Sequence, residues 1–521
     1  MSLNRRILLA VLANYGGRFA QIVLNLTLIP VMFRSLSPEE IGIWWIIGQS
    51  SMFLGLMDLG FGPTLTRRIA FAKGASGGSV DIELNEESRR RISDLAGTGR
   101  ILYRYVALLV LLLAGGSGAA FLGSLELTRL SLSEVFFAWA LICVGYAINT
   151  WGGFWLCLLG GLGYVGGAGF ITVGFQIAGL VVKVIVVLCG GGLIGLAVTD
   201  CVAGLAARQA TIAYLRWREP QVSTLVGCWS QSEFRSMLSP AIRTWLTALG
   251  AFLILRTNQY FIASFKGAEA LPNYQAAYAA VSNLYIIAMS FSTASSVFYS
   301  QLWHAGEVER VHQLLARNLN VAMGTMICGS AALLFGSPQL FELWLGHGHF
   351  IGFPILMLFC VMLTLEAQHV VFSFASRATE DEAFALWALG AGFLNLAFTW
   401  SLIEPLGLLG VAVGGCLAQL LTNNWYVVLR AHYRLRLSLR TYCRTVLLPI
   451  GGLSAGVAAP LGAMMAVSAM PDAPWPRLTI VTFWCGLNLA AFVWLRALSQ
   501  TERHRFLKFA VTKLGYRLGS T

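Results

Sequence analysis

Runs of eighteen or more mostly apolar residues recur from one end of this chain to the other. A helical run of that length crosses a hydrocarbon core of about 30 Å. Fourteen such runs can be marked, at 11–33, 41–63, 101–122, 135–158, 166–189, 191–214, 241–265, 275–299, 318–336, 351–374, 384–403, 407–429, 445–468 and 478–497. A soluble fold of 521 residues has no interior for so much apolar surface, because 57% of the residues are hydrophobic, only 12% are charged and the mean hydropathy is +0.70. The expected fold class is therefore all-α, a polytopic membrane protein with about 14 transmembrane helices.

Cytoplasmic loops retain Lys and Arg, so their placement orients the chain. With both termini in the cytoplasm, 29 of the 36 basic residues fall in cytoplasmic segments, five of them in 208–243. Four fall in outer loops (Arg34, Arg129, Lys266, Arg477) and three within spans (Arg18, Lys183, Arg256). Miscounting one span in the first half would scramble that split, which supports an even number of spans. The net charge of +12 then faces the anionic lipid surface, and a nucleic-acid partner is not needed to explain it. The ten cysteines are scattered through apolar segments without disulfide or metal-ligand spacing, so no cofactor or metal is expected. After Arg5 and Arg6 the run "ILLAVLA" is short and polar residues follow at once, so no cleavable leader is expected.

Residues 1–215 read as an N-terminal six-helix lobe, 216–240 as a cytoplasmic linker and 241–430 as a C-terminal six-helix lobe. Residues 431–497 add helices 13 and 14, and 498–521 form a basic tail with Leu507, Val511, Leu514 and Leu518 on one helical face, the pattern of an in-plane interfacial helix. The cytoplasmic segment 64–100 carries "DIELNEESRRRISDL", where Glu86 and Arg90, and Glu87 and Arg91, have helix-favouring spacing. "VMFRSLSPEEIGIWWIIGQSSMF" after the first span and "FIASFKGAEALPNYQAAYAAVSNL" after the seventh share an order: apolar stretch, basic residue, short acidic turn, aromatic-rich span. Such a parallel repeat relates the two halves by an axis along the membrane normal.

The first span carries Asn14, Arg18, Gln21 and Asn25, spaced four, three and four residues apart and hence forming one polar stripe on a helix. Six ionisable residues lie within spans, Arg18, Asp58, Lys183, Asp200, Arg256 and Glu366, and each is costly there. By depth, Arg18 can pair with Asp58 and Lys183 with Asp200. Arg256, some ten residues from the outer end of its span and set in "RTNQY" with Gln259, is expected to face a wet cavity, as is the stripe. Gln275, Asn283, Glu366, Gln368, His369, Asn395 and Asn423 could line the same space or bond between helices. A hydrated cavity between the two halves with an Arg from each favours an anion, since each guanidinium offers a two-pronged hydrogen bond to phosphate.

"FRSLSPEEIGIWWIIGQSSMFLGLMDLGFGPTLTRRIA", together with "SFKGAEALPNYQAAYAAVSN" at 264–283, resembles Wzx-type polysaccharide flippases of the multidrug/oligosaccharidyl-lipid/polysaccharide (MOP) exporter superfamily. The resemblance covers roughly residues 1–430. It implies a flippase that moves an undecaprenyl-diphosphate-linked oligosaccharide from the cytoplasmic to the periplasmic leaflet by alternating access, for O-antigen, capsule or exopolysaccharide biosynthesis. Its implied location is the bacterial inner membrane, and its implied partners are the lipid bilayer, a polysaccharide polymerase and other assembly proteins. Cationic lumen residues proposed for such transport correspond to Arg18, Arg256 and Lys183. Many members have twelve spans; the extra pair makes this chain similar in count to lipid II flippases.

Three other readings compete. A lipid II-type peptidoglycan precursor flippase has the same span count. A cation or drug antiporter of the same superfamily wants free carboxylates in its cavity; of Asp58, Asp200 and Glu366, the first two have basic candidates to pair with. An enzyme wants an acid, base or metal constellation at the membrane surface. Its best candidates, His347 and His349 in "LGHGHF", read as a loop turn, so the chain is expected not to be an enzyme. Asp58, Asp200, Glu366 and His369 remain candidates for coupling to an ion gradient.

Overall fold

The computed structural model describes residues 16–17, 19–20, 22–23, 26–76, 84–223, 227–304, 306–377, 385–498, 500 and 503–504. Among the described residues there is no strand, and the fold is all-α. In chain order the helices begin with α1 (Leu26–Ser35), α2 (Pro38–Leu56), α3 (Phe61–Gly74), α4 (Glu86–Leu109), α5 (Gly115–Gly123), α6 (Leu132–Trp151), α7 (Gly153–Gly161) and α8 (Val165–Leu188). They continue with α9 (Gly192–Arg218), α10 (Pro220–Ser223), α11 (Gln231–Leu255), α12 (Asn258–Lys266), α13 (Leu271–His304), α14 (Val308–Gly336), α15 (Gln339–Leu345) and α16 (Phe353–Arg377). The last are α17 (Ala385–Leu406), α18 (Leu408–Leu421), α19 (Asn423–Arg434), α20 (Leu439–Tyr442), α21 (Leu448–Ala466) and α22 (Pro474–Arg496).

Ten helical segments among the described residues are long and apolar enough to cross a membrane. They match ten of the fourteen expected spans. Of the other four, the first is described only in part; α2 and α13 are long enough, with 19 and 34 residues, but more polar. The expected span at 407–429 is broken at Thr422 into α18 and α19. The charged stretch at 86–100 is the first part of α4 rather than a separate loop helix. Its Arg91 bonds Glu233 at 3.2 Å. Of the expected tail, only residues 498, 500 and 503–504 are described; Leu507, Val511, Leu514 and Leu518 lie outside the described residues.

The chain packs into two compact units. The first comprises Met1–Ala276 and Phe384–Ala418, the second Ala277–Ala383 and Gln419–Thr521. In the first unit, Leu65 and Ile69 of α3, Leu95 of α4 and Leu158 and Leu159 of α7 form a fully buried core. Linker residues close over it: Ser230 N–H donates to the Thr98 hydroxyl at 2.9 Å, and Arg68 donates to the Ser236 carbonyl at 2.8 Å.

Both signature turns acquire a physical role in this unit. Ser37 and Glu40 cap α2 reciprocally, the Ser37 N–H donating to Glu40 Oε2 at 2.8 Å, with Pro38 opening the helix. Glu39 is buried, and its carboxylate accepts the backbone N–H groups of Thr128, Arg129 and Leu130 at 2.6, 2.7 and 2.9 Å. Burial pushes this carboxyl up, but the Thr128, Leu130 and Arg129 donors outweigh it and hold Glu39 below the usual carboxylate range. From the second turn, the Thr128 hydroxyl donates to Glu269 at 3.2 Å. The backbone at Ala268 approaches α2 so closely that a Cβ on Gly42 would overlap it.

Broken helices are the other theme of the first unit. At "DLGFG", Leu59 and Gly60 take φ of 51° and 75°, and a Cβ at Gly60 would run into the Ala241 carbonyl. The chain thus turns from α2 into α3 against α11. Trp245 Nε1–H on α11 donates to the Leu56 carbonyl at 2.9 Å, which also accepts the Leu59 N–H at 3.1 Å, so the turn is tied to α11.

The second unit is built around α14, on which α16, α21 and α22 pack. Its buried Asn318 donates to the Ser295 and Tyr299 hydroxyls, both at 2.8 Å. Asn320 donates to the Thr445 carbonyl at 3.0 Å. Arg477, expected in an outer loop, is instead buried in the first turns of α22. Its Nε–H donates to the Phe335 carbonyl at 3.0 Å, one of the open acceptors at the end of α14. Helices 13 and 14 of the sequence, α20 to α22, are thereby fastened to the second unit.

Candidate functional site

The first unit holds a half-open cavity of about 490 Å³ lined by residues of α2, α6, α8 and α9 together with Ala20. Small residues make the room: Gly48, Gly145, Gly179 and Gly204 all line it. Its polar groups include Tyr146, Asn149, Thr172, Gln176, Lys183 and Asp200. Lys183 on α8 and Asp200 on α9 form an ion pair at 2.5 Å, and the ammonium also lies 5.2 Å from the centre of the Trp44 ring. The Lys183 side chain is 13% exposed and that of Asp200 39%, so the carboxylate is the more open half of the pair.

Asp58 lies at the break before α3. Its Oδ2 accepts the Gly62 N–H at 2.8 Å, where the helix N-terminus favours a negative charge, and Tyr103 bonds the same side chain. Its partner proposed from sequence, Arg18, lies outside the described residues, as do Asn14, Gln21 and Asn25 of the stripe.

Arg256 caps α11 at the break before α12, its N–H bonded to the Phe252 carbonyl at 2.9 Å. The polar "RTNQY" stretch has a backbone purpose here. The break frees the Leu253 and Ile254 carbonyls, and buried Asn395 on α17 donates to Leu253 O at 2.9 Å, Asn258 Oδ1 at 3.1 Å and the Thr257 hydroxyl at 3.2 Å. Gln259 is buried, and its Oε1 has no hydrogen-bond partner among the described residues. Tyr260, on the same turn, shares a 2.9 Å hydrogen bond with Ser50 of α2.

In the second unit, Glu366, Gln368 and His369 share α16, where Gln368 donates to the Tyr442 hydroxyl at 2.6 Å, a bond between helices. Gln275 and Asn283 are buried on α13. His347 pairs with Glu342 across the turn after α15, and neighbouring His349 is depressed below the usual imidazole range by burial. Among the described residues no three His, Cys, Asp or Glu side chains are placed to hold a metal ion.

Sequence reasoning missed Trp44, Tyr146, Asn149 and Gln176, which line the cavity without being charged. It also placed Arg208 with the cytoplasmic residues. In the structure Arg208 lies ten residues inside the end of α9, its Nη1 donating to the Ile148 carbonyl at 2.7 Å.

No family model matches the sequence, and no curated protein matches it. Solved structures do match in fold. The lipid II flippase MurJ, in an inward closed conformation, superposes with a TM-score of 0.67 at 14% identity, covering 94% of this chain and 98% of that one. A multidrug resistance MATE family transporter of the MOP superfamily, inward-facing, gives 0.66 at 14% identity over 80% of this chain and 96% of that one. A MOP superfamily transporter from Pyrococcus furiosus gives 0.57 at 14% identity, over 83% and 96%. The chain thus has the fold of MOP-type transporters.

Proposed function

We propose that this chain is a flippase that carries an undecaprenyl-diphosphate-linked oligosaccharide from the cytoplasmic to the periplasmic leaflet of a bacterial inner membrane by alternating access, feeding surface polysaccharide assembly. The observation that carries the reading is the extent of the fold likeness: 94% of the chain aligns with a lipid II flippase, against 80% with a MATE transporter. A broader alignment is what two additional helices, fastened to the second unit through Arg477, would give.

Charge placement argues in the same direction. A cation antiporter needs a carboxylate free to exchange cations; of the three candidates, Asp200 is held by Lys183 and Asp58 accepts a bond at the start of α3, which leaves Glu366 as the one that reading would use. Membrane potential would help an anionic diphosphate outward, by about 2.3 kcal/mol per charge per 100 mV if the interior is negative. The same alignment favours a second reading, a lipid II-type precursor flippase.

Deletion in the native host tests both. Loss of surface glycan with lipid-linked precursor accumulating and cells intact fits the first reading; lysis with wall precursor accumulating fits the second. Neither precursor accumulating, with drug sensitivity instead, would overturn both. In complemented cells, Arg18→Ala, Arg256→Ala and Arg256→Lys, matched for protein level by immunoblot, should lower glycan export.

A further inference from the structure

Arg208 sits about 15 Å along α9 from its Arg218 end, well within a helix that the sequence carries through the hydrocarbon core. A guanidinium at such depth is costly unless something compensates it. Asp200, the carboxylate lining the adjoining cavity, is taken by Lys183. Among the described residues no carboxylate pairs with Arg208. Its Nη1 donates to the Ile148 carbonyl at 2.7 Å, its carbon centre lies 5.9 Å from the Trp151 ring, and its buried Nε has no hydrogen-bond partner among the described residues.

The space it occupies is specifically provided. Gly152 stands between α6 and α7, and a Cβ there would overlap the guanidinium. The same break leaves Ile148 O serving both Gly152 N–H, at 3.2 Å, and Arg208. The residues flanking these contacts, Asn149 on α6 and Gly204 and Ala207 on α9, line the 490 Å³ cavity. Arg208, next in sequence to the lining residue Ala207 though not itself a lining residue, stands beside the end of that cavity nearer Arg218, and Asp200, which meets Lys183, lies about 12 Å farther along α9.

We propose that Arg208 is an anion-binding residue that holds the diphosphate of a lipid-linked substrate at this end of the cavity, with Gly152 keeping its notch open. The assignment rests on the flippase reading above. A guanidinium has five N–H donors in a planar fork, and one bond to Ile148 leaves donors for phosphate oxygens. A residue needed only to satisfy the Ile148 carbonyl would not have to be charged.

The test uses the full-length protein in nanodiscs and binding of farnesyl diphosphate, with inorganic pyrophosphate, farnesol and phosphatidylglycerol as competitors. Saturable binding displaced by pyrophosphate, and not by farnesol or phosphatidylglycerol, is expected of the wild type. Arg208→Gln, which keeps a donor for Ile148, should lose at least about tenfold in affinity, a difference of about 1.4 kcal/mol. Arg208→Lys should lose less, and Gly152→Ala should weaken binding without altering any charge. Wild-type affinity in Arg208→Gln, or in Gly152→Ala should the first variant fail to fold, overturns the assignment and leaves the flippase reading standing. Equal competition by phosphatidylglycerol overturns it in favour of a general anionic-lipid site. No diphosphate binding by the wild type removes the flippase reading as well.

Discussion

Replacing Glu39 with Gln isolates the most heavily bonded carboxylate of the first unit. Its two oxygens accept three backbone N–H groups, Thr128 on Oε1 and Arg129 and Leu130 on Oε2. A glutamine keeps one acceptor oxygen and turns an amine toward the remaining N–H, so at least one bond is lost. Hydrogen bonds to charged groups contribute roughly 1.5–3 kcal/mol each and neutral ones about 0.5–1.5. Water can reach Thr128 and Arg129, which are exposed, and this reduces the loss to about 2–3 kcal/mol. At roughly 2 °C per kcal/mol for a large unit, the melting temperature should fall by about 4–6 °C, as read by differential scanning fluorimetry in detergent.

The pH dependence gives an independent check. A carboxyl held below its unfolded value contributes stability that is fully present above that unfolded value, about 4.3, and is lost as pH falls through the lower folded value. The wild-type advantage over Glu39→Gln should therefore be complete at pH 7 and shrink below about pH 4. Equal melting at pH 7, or a difference constant with pH, would refute the reasoning.

Three further outcomes follow from the same geometry. Asn395→Leu removes the donor to the Asn258 side chain and one of the two donors on the Leu253 carbonyl, where the Thr257 hydroxyl remains, and should destabilise by about 1–3 kcal/mol, checked by thermal melting. Lys183→Met and Asp200→Leu should each destabilise more singly than together, because each alone strands a partly buried charge; an additive double-mutant cycle would contradict the pairing. His347→Ala and His349→Ala should leave transport unchanged, and complete loss of activity at normal protein level would revive the enzyme reading.

Apolar length is a signal that the sequence carries well, and ten long apolar helices lie at expected spans. Depth counting likewise paired Lys183 with Asp200, because two adjacent antiparallel helices leave few alternatives. Helix breaks were harder to read. Polar residues at 256–260 suggested water, yet Asn258 and Thr257 work with Asn395 to close a broken backbone, a partnership across 137 residues with no local trace. What Arg208 touches was not legible either, because only contact with α6 shows which way a basic residue near a span end turns. The cavity wall of Trp44, Tyr146 and Gln176 was invisible for a related reason: uncharged residues in a span look alike whether they face lipid, neighbour or void.

Glu39 and Glu269, from the two look-alike stretches, both bond Thr128, and Gly42 lets the second stretch press against the helix that follows the first. A segment exchange between related transporters that imports one stretch alone would mismatch this three-way contact. Recombination breakpoints between about residue 40 and residue 270 should accordingly be rarer among functional hybrids than breakpoints beyond Ala276, where the first unit's leading segment has closed. The doubled pattern would then be inherited as one block, although more than two hundred residues separate its parts.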